Sequence, residues 1–481
     1  MAHIKKIKMM SLLKQKIEQL SYYAYLINPL IPKKYRICRS FARNAHQYID
    51  FLEQSQWWCE ERLKEYQDEK LKKLISYAYE NVPYYRVTFD KHGIKPGDIK
   101  GSEDLNKIPV LTKEIIRENF PDKIVIRNEV KRKEGIWTTG GSTGEPLKFY
   151  GDINSNSIAW ASFFRYCRWI GYEWGDSIAV FWRAQARESG TQKWHQHFLD
   201  WLQKIRIPNV NCFNASMMGE KYLGQYVLKL AQMKPKILRG YVSALKCLAE
   251  YYVKCGIESI RPKVVTTTAE VLSPNDRQLL KRIFNADVFD QYGSAECMSV
   301  AFECPEHAGL HTTMEHCVVE FVDDRGNIVE DDKKGSLLIT DLDNYTMPFI
   351  RYMNGDEGSY KKHACNCGRG LQLIDYVEGR SIDMIRGTNN NTAHGLFFVT
   401  LLQELGWFEK YGVNDFEIVQ KAPDRLDCSF VCDVSPGEIG KLEFTRLCNK
   451  HFGKMHFNIR FVDKIMPGPS GKRRYTRNEV V

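Results

Sequence analysis

The stretch PKVVTTTAEVLSPNDRQLLKRIFNADVFDQYG (residues 262–293) decides the fold class of this chain. It consists of a short run rich in β-branched residues, a helical segment and a second apolar run. Two earlier runs of the same kind, SIAVFW (177–182) and KILRG (236–240), also alternate with helical segments. This alternation predicts an α/β fold built on a mostly parallel sheet.

The segments before and after this region predict further units. Residues 1 to about 130 are expected to form a helical lead-in, in which the helix containing DEKLKKLISYAYEN (68–81) ends at the Pro83 turn. From about residue 311 to 385 the runs become short and strand-rich, with DDRGN (323–327) as a turn.

The last unit, from about residue 381, is predicted to place three strands around a helix at 437–451. The strands are DFEIVQ (415–420), RLDCSFVCDV (425–434) and FNIRFVD (457–463). We therefore expect a large N-terminal domain over 1–379, with a β subdomain, and a small α+β C-terminal domain over 380–481.

The composition excludes several classes of protein. The 481 residues are 43% hydrophobic, which excludes global disorder, and 69 basic against 59 acidic side chains give a net charge of +10. This charge is spread widely and forms no basic stripe with interleaved aromatic residues, so we expect nucleotides and other anions, not nucleic acid, as partners. A basic nucleic-acid-binding protein stays the weakest alternative, and a steep loss of binding with added salt would be its sign.

Cysteine usage and hydropathy bear on the compartment. Fourteen cysteines without a regular framework indicate reduced thiols and a cytoplasmic protein. No apolar stretch approaches the ~18 residues that span a bilayer. Near the N-terminus Ile4, Ile7 and Leu13 interleave with lysines at roughly helical spacing, so a basic helix there either contacts the inner membrane surface or packs on its own domain.

A loop rich in glycine and hydroxyl residues, TTGGSTGEPLKFY (138–150), is a candidate phosphate site. Side-chain hydroxyls and glycine-freed backbone N–H groups on one turn form a concave set of donors suited to phosphate oxygens. It is not a Walker A loop, because Glu145 and Pro146 stand where that motif requires Lys and Ser/Thr. A polar surface loop is the alternative interpretation of these residues.

Four later stretches present single polar residues on turns or loops. Glu296 follows a glycine turn in DQYGSAEC (290–297), and Asp356 lies at a Gly-Asp turn in TDLDNYTMPFIRYMNGDEGSY (340–360). Arg380 opens the last unit in VEGRSIDMI (377–385). Lys472 lies on a Pro/Gly loop in PGPSGKRRYTRN (467–478).

Together and in this order, these motifs resemble those of the adenylate-forming superfamily of acyl-CoA synthetases, peptide-synthetase adenylation domains and luciferases. Within it the chain is most similar to phenylacetate-CoA ligases and CapK-type proteins, which share the lead-in seen here as LISYAYENVPYYR (74–86), GIKPGDI (93–99) and DLNKIPVLTKEIIREN (104–119). The resemblance covers roughly residues 57 to 475. It implies the adenylate-forming fold, with a mobile C-terminal domain, and ATP and Mg²⁺ as cofactors.

The resemblance also implies roles for individual residues. The phosphate loop would be formed by Thr139, Gly140, Gly141, Ser142, Thr143 and Gly144. The backbone along the adenine would be that of Thr268, Ala269 and Glu270, with Tyr292 and Gly293 near the base. Glu296 would bind Mg²⁺, and Asp356 would bind the ribose hydroxyls, with Arg380 alongside. Lys472 would be carried into the site by the C-terminal domain, so Lys472 and Glu296 are the expected catalytic residues.

The implied reaction is attack of a small carboxylate on the α-phosphorus of ATP, which gives an acyl-AMP and pyrophosphate. The acceptor stays open among a thiol such as that of CoA, an amine and a hydroxyl. CapK-type relatives suggest a role in surface polysaccharide synthesis. One alternative is an adenylyltransferase resembling coenzyme F390 synthetases. Another is a non-catalytic nucleotide-binding scaffold, suggested by Ala295 and Ile382, which replace a threonine and a charged hinge residue of the superfamily.

Three cysteines and a histidine form a candidate zinc site: Cys304, His311, Cys365 and Cys367. Thiolates and an imidazole suit tetrahedral Zn²⁺ in a closed, structural site. CapK-like relatives often carry such a set. His307 competes with His311 as the imidazole ligand, and reduced cysteines on unrelated loops are the alternative.

The pocket for the acyl group is expected to be lined by residues from about 165 to 245 and from about 265 to 295. Trp169, Trp182, Phe213 and Tyr241 are its candidate walls, although aromatic residues in an α/β core also serve as plain packing. The sequence does not indicate whether the substrate is an aryl, fatty, amino or sugar acid.

Overall fold

A computed structural model describes residues 21, 24–26, 28–126, 135–138, 147–182, 209–215, 217–377, 385–389, 391–393, 396–413, 415–463, 465 and 476–480. The helices are α1 (Lys33–Phe41), α2 (Ile49–Ser55), α3 (Glu60–Asn81), α4 (Pro83–His92), α5 (Lys113–Asn119), α6 (Ile153–Trp169), α7 (Glu220–Met233), α8 (Val242–Cys255), α9 (Pro274–Phe284), α10 (Leu396–Glu404), α11 (Trp407–Tyr411) and α12 (Gly437–Phe452). Short 3₁₀ turns lie at Ala45–Gln47, Pro96–Asp98 and Ser102–Lys107.

Strands make up the rest of the regular structure. They are β1 (Ile136–Thr138), β2 (Lys148–Tyr150), β3 (Ile178–Trp182), β4 (Val210–Asn214), β5 (Ile237–Gly240), β6 (Val264–Thr268), β7 (Asp287–Tyr292), β8 (Ala301–Glu303), β9 (Leu310–Thr312), β10 (Cys317–Val322), β11 (Gly335–Asp341), β12 (Tyr352–Gly358), β13 (Leu373–Ile374), β14 (Ile385–Arg386), β15 (Thr392–Ala393), β16 (Asp415–Ala422), β17 (Arg425–Val431), β18 (His456–Phe461) and β19 (Thr476–Asn478).

An eight-stranded sheet forms the centre of the molecule, in the order β13-β9-β8-β7-β6-β5-β3-β4. Five neighbouring strands, β7, β6, β5, β3 and β4, run parallel, as the alternating sequence pattern predicts. Strands β8, β9 and β13 extend the sheet in antiparallel fashion. The α/β fold class is thereby confirmed.

Helices cover both faces of the sheet because its strands are apolar on both sides. On β6, Val264 packs in the cluster that contains α6 residues, whereas Val265 packs in the cluster that contains residues of α7, α8 and α9. We call these the α6 face and the α8 face. Strands buried on both faces are typical of parallel sheets.

The helical lead-in follows the local sequence signals. Helix α3 ends at Asn81, and Pro83 occupies the first turn of α4, where the missing N–H costs nothing. Thr112 caps α5 by accepting from the N–H of Ile115. Residues 1–20, which include the stretch predicted to form a basic helix, lie outside the described residues.

The strand-rich region divides between two sheets. Strands β10, β11 and β12 form a separate antiparallel sheet, and the Gly326 N–H donates to the Asp323 carbonyl oxygen in the DDRGN turn. By contrast, β9 and β13 join the large sheet. With two or three residues each, these strands are too short for the sequence to indicate the sheet in which they pair.

The last unit contains the three predicted strands around α12, in a four-stranded sheet of order β18-β17-β16-β19. Its apolar side chains form a core of their own, which includes Trp407, Phe430 and Phe444. A hydrogen bond from the Thr392 hydroxyl to the Met218 carbonyl oxygen, at 2.7 Å, joins this unit to the sheet that precedes it. None of the helices in the described ranges has the length and apolar character needed to cross a membrane.

Candidate active site

The predicted adenine-binding segment begins at the C-terminal end of β6. Thr268 ends the strand, and Ala269 has φ of 65°, a left-handed conformation that is rare for a residue with a Cβ atom. The Glu270 carboxylate accepts from the N–H and the hydroxyl of Ser243, at 2.7 and 2.9 Å, in the first turn of α8. The Glu270 side chain therefore caps a helix, and its backbone forms the surface of the segment.

The next strand, β7, brings Tyr292 to Asp356 of β12. The Tyr292 hydroxyl donates to Asp356 Oδ2 at 2.7 Å, and Asn354 Nδ2 donates to the same oxygen at 2.9 Å. Among the described residues, Asp356 Oδ1 has no hydrogen-bond partner. The carboxylate is thus held by one oxygen and presents the other, which suits the binding of ribose hydroxyls.

Glu296 lies four residues beyond Tyr292, where the chain turns from β7 toward β8. Its side chain is buried, and Oε1 accepts from the Tyr352 hydroxyl at 2.5 Å. Within the described part of the chain Oε2 has no partner. A single carboxylate oxygen of this kind suits Mg²⁺, which binds one or two carboxylates and keeps its other positions for water and phosphate oxygens.

The turn between Tyr292 and Glu296 is tight. A Cβ atom on Gly293 would lie 3.0 Å from the backbone nitrogen of Ser299, which leaves little space for a side chain. Ala295 is exposed at the same turn, so the residue that replaces the usual threonine lies on the accessible side of the turn.

Other predicted site residues cannot be placed. The phosphate loop (139–144), Arg380, Ile382 and Lys472 lie outside the described residues. Their roles remain predictions from the sequence.

Sequence reasoning missed Tyr352 and Asn354, although both lie in the stretch that contains Asp356. Asn354 and Asp356 meet at the Tyr292 hydroxyl, in a segment of β12 whose pairing with β11 is irregular, and Tyr352 donates to Glu296. The pattern Tyr-x-Asn-x-Asp is the signal that could have found them.

The structure brings together the four predicted zinc ligands, which we call the Cys/His cluster: Cys304, His311, Cys365 and Cys367. Their ligand atoms all lie within 4.8 Å of one another. The Cys304 and Cys365 sulfurs are 3.5 Å apart, and Cys367 Sγ is 3.3 Å from His311 Nε2. Edges of about 3.5 to 3.8 Å are expected for tetrahedral zinc from its usual bonds to sulfur and nitrogen.

Surrounding contacts orient the ligands of the Cys/His cluster. His311 Nδ1 is 3.2 Å from the Leu371 carbonyl oxygen, which leaves Nε2 facing the sulfurs. Burial acts to raise the pKa of Cys367, but hydrogen bonds from His311 and Arg369 outweigh it and lower the pKa to about 5. The competing His307 instead contacts Glu303, at 2.8 Å, and stacks on Phe289. The geometry therefore favours His311.

The candidate walls of the acyl pocket separate in the fold. Trp182, the last residue of β3, and Tyr241, which follows β5, stack with ring centroids 4.7 Å apart. Phe213 stacks on Phe181 in the core of the α8 face, which is plain packing. Trp169 lies with its ring centroid 5.9 Å from that of His311, next to the Cys/His cluster.

Comparisons with known proteins agree with this geometry. No family model matches the chain. A phenylacetate-coenzyme A ligase of Thermus thermophilus is 28% identical over 348 residues, which cover 68% of this chain and 73% of that protein. Protein CapK of Staphylococcus aureus is 26% identical over 424 residues, which cover 87% of this chain and 90% of that protein.

Solved structures share the fold. A 2-hydroxyisobutyryl-CoA ligase in complex with 2-HIB-AMP and CoA superimposes with a TM-score of 0.62 at 20% identity, covering 88% of this chain and 91% of that one. The chain shares the fold of this CoA ligase, and its sequence is similar to those of phenylacetate-CoA ligases and of CapK. Both parts of the resemblance seen in the sequence are confirmed.

Proposed function

We propose that the protein is an ATP-dependent, AMP-forming ligase that activates a small carboxylate as its acyl-adenylate. The observation that carries this proposal is the Tyr292–Asp356 pair, which joins the end of β7 to β12 and leaves one oxygen of Asp356 for the ribose. Glu296, with a free carboxylate oxygen among the described residues, lies on the turn that follows Tyr292. The names of the curated relatives support the same class of reaction.

The described residues would bind and orient the nucleotide. Tyr292 and the backbone at Ala269 would flank the base, while Asp356 would accept from the ribose hydroxyls. Glu296 would hold Mg²⁺, which when bound supplies positive charge to the phosphate oxygens. Because both reactants are anions, groups that neutralise charge near the α-phosphorus lower the barrier to attack.

The remaining positive charge would come from Lys472. At about 4 Å, one such charge pair contributes roughly 4 kcal/mol at an effective dielectric of 20. We propose that residues 380–481 act as a mobile domain that delivers Lys472 to a site on residues 1–379, with a hinge near residues 380–383. Loss of Lys472 should slow adenylation on the order of a hundredfold or more.

CoA is the acceptor that we propose for the second step, because the phenylacetate-CoA ligases form CoA thioesters. The similarity to CapK favours a product used in surface polysaccharide synthesis. We place the reaction in the cytoplasm, where ATP and CoA are available.

We further propose that the Cys/His cluster binds one structural Zn²⁺. Three sulfurs and one nitrogen close the coordination shell, so the metal would have no open position for substrate. Cys304 follows β8, His311 lies on β9, and Cys365 precedes β13. The ion would therefore join the antiparallel end of the large sheet.

Pyrophosphate release from ATP and Mg²⁺ tests this function against a panel of aryl, acyl, amino and sugar acids. We expect release with one class of acid and its loss in Lys472→Ala. Product analysis by mass spectrometry separates the two rivals. An adenylylated hydroxyl compound without acyl-AMP or thioester would indicate an adenylyltransferase, and tight ATP binding without turnover would indicate a binding protein.

A further inference from the structure

Arg239 is a partly accessible cation on the α6 face of the central sheet. It lies on β5, between β3 and β6, and its guanidinium carbon is 4.4 Å from the ring centroid of Phe163 and 5.4 Å from that of Trp182. The Trp182–Tyr241 stack lies beside it. Aromatic side chains therefore surround a positive charge in the region expected to hold the acyl group.

One neighbour fixes the orientation of the guanidinium. With its amide oxygen turned toward Arg239, Gln291 accepts from Nη2 at 2.7 Å and from Nε at 2.8 Å. The same oxygen accepts from the Thr268 hydroxyl at 3.3 Å. Within the described ranges Nη1 has no hydrogen-bond partner, so one edge of the planar cation stays available for a ligand.

Arg239 has no carboxylate partner among the described residues. In this it differs from the two most buried arginines that the structure describes. Arg165 pairs with Glu315 at 2.5 Å, and Arg351 pairs with Glu320 at 3.1 Å. Burial lowers the pKa of Arg239, and Cys167, Tyr166 and Tyr241 offset this effect only in part. A largely buried cation with no carboxylate partner among the described residues is costly, so a site of this kind is expected to take its anion from a ligand.

The backbone of Arg239 lies on a different strand from the residues proposed to bind the nucleotide. Glu296 and Asp356 lie beyond the end of β7, whereas Arg239 is rooted on β5, two strands away in the sheet. At about 4.8 Å between neighbouring strands, the axes of β5 and β7 are about 10 Å apart. The Arg239 guanidinium itself extends toward β7, where it meets Gln291, and it lies 5.4 Å from the ring centroid of Trp182 on β3.

We infer that Arg239 binds a second anionic group of the substrate, at the end remote from the reacting carboxylate. The substrate class is then a dicarboxylic acid or an acid of equivalent charge, with Trp182 and Tyr241 beside its chain. This inference rests on the proposed function, because it assigns the acyl pocket of that reaction. A bidentate guanidinium contact to a carboxylate gives both affinity and direction.

Equilibrium binding to the full-length protein tests the inference without requiring turnover. Isothermal titration would compare matched pairs of acids: glutarate with pentanoate, adipate with hexanoate, and terephthalate with benzoate. We expect at least one diacid to bind about 10- to 100-fold more tightly than its monoacid partner, as charge-assisted hydrogen bonds allow. Arg239→Met should remove that preference and leave monoacid binding unchanged.

Arg261→Met is the matched control, because Arg261 is exposed and pairs with Glu258 on the surface. It should keep the preference for the diacid. If Arg239→Met weakened binding of the diacid and of the monoacid equally, Arg239 would be assigned to the reacting carboxylate and the inference would be overturned. So would the absence of any preference for diacids in the wild type.

Stability separates this role from a structural one. Because Arg239 lacks a carboxylate partner in the described chain, Arg239→Met should lose only the hydrogen bonds to Gln291 and lower the Tm by a few degrees at most. A Tm lowered by more than a few degrees would show that Arg239 serves the fold instead. Diacid binding without pyrophosphate release would leave this inference standing and contradict only the proposed function.

Discussion

Replacing Asp356 with asparagine should weaken ATP binding about 10- to 100-fold. The substitution keeps the shape of the side chain but removes the charge that would accept from the ribose hydroxyls. Hydrogen bonds to a charged group contribute about 1.5 to 3 kcal/mol, and each 1.4 kcal/mol corresponds to about tenfold in affinity. Isothermal titration with ATP and Mg²⁺ measures the effect directly.

Tyr292→Phe should have a smaller effect of about fivefold. It removes one hydrogen bond to Asp356 Oδ2, but Asn354 still donates to that oxygen at 2.9 Å and holds the carboxylate. A neutral hydrogen bond contributes about 1 kcal/mol. The double variant should lose less ATP-binding free energy than the sum of the two single losses, because the Tyr292 hydroxyl acts through Asp356.

Glu357→Gln is the control for charge on the same strand. Glu357 follows Asp356, is half-buried and pairs with Lys334 at 2.9 Å. Its replacement should leave ATP affinity unchanged. If Asp356→Asn bound ATP within twofold of the wild type, or if the control weakened ATP equally, the assignment of the ribose site would be wrong.

Three further predictions concern stability. Arg165→Met leaves Glu315 buried without its partner and should lower the free energy of unfolding by about 3 to 5 kcal/mol in urea titrations, whereas Arg165→Met with Glu315→Gln should lower it less. Burial lowers the pKa of His316, but Asp341 and Asp343 outweigh it and raise the pKa from 6.5 to about 9. The contribution of protonated His316 to the free energy of unfolding should therefore be complete below pH 6.5 and be lost as the pH rises through about 9. His316→Gln should accordingly lower the free energy of unfolding most in acid and least above pH 9. Elemental analysis should find about one zinc per chain, and chelation should lower the Tm; well under one zinc would refute the Cys/His cluster as a metal site.

The parallel sheet was predictable from the sequence because its strands are local signals. Runs such as VVTTT in β6 are apolar on both faces and are followed by helices, so the α/β alternation is visible without a structure. Thr112 and Pro83 mark helix starts by their own chemistry. The four cysteine and histidine residues could be grouped because few residue types bind zinc.

Contacts between distant segments were not predictable in the same way. Arg165 and Glu315 are 150 residues apart, and nothing in either neighbourhood indicates the partner. Arg239 meets Gln291 only because β5, β6 and β7 are neighbours in the sheet, and its lack of a described carboxylate partner is a property of three-dimensional packing. The Glu270 side chain caps α8, a role that its position in the motif did not show.

In the proposed reaction, the carboxylate oxygen of the substrate attacks the α-phosphorus of ATP. An acid from the panel that supports pyrophosphate release, labelled with ¹⁸O in its carboxylate, tests this directly when incubated with ATP, Mg²⁺ and CoA. We expect AMP that carries one ¹⁸O atom per turnover, because the bond from oxygen to phosphorus survives when the thiol attacks the carbonyl carbon. Unlabelled AMP, or ADP and phosphate in place of AMP and pyrophosphate, would contradict it.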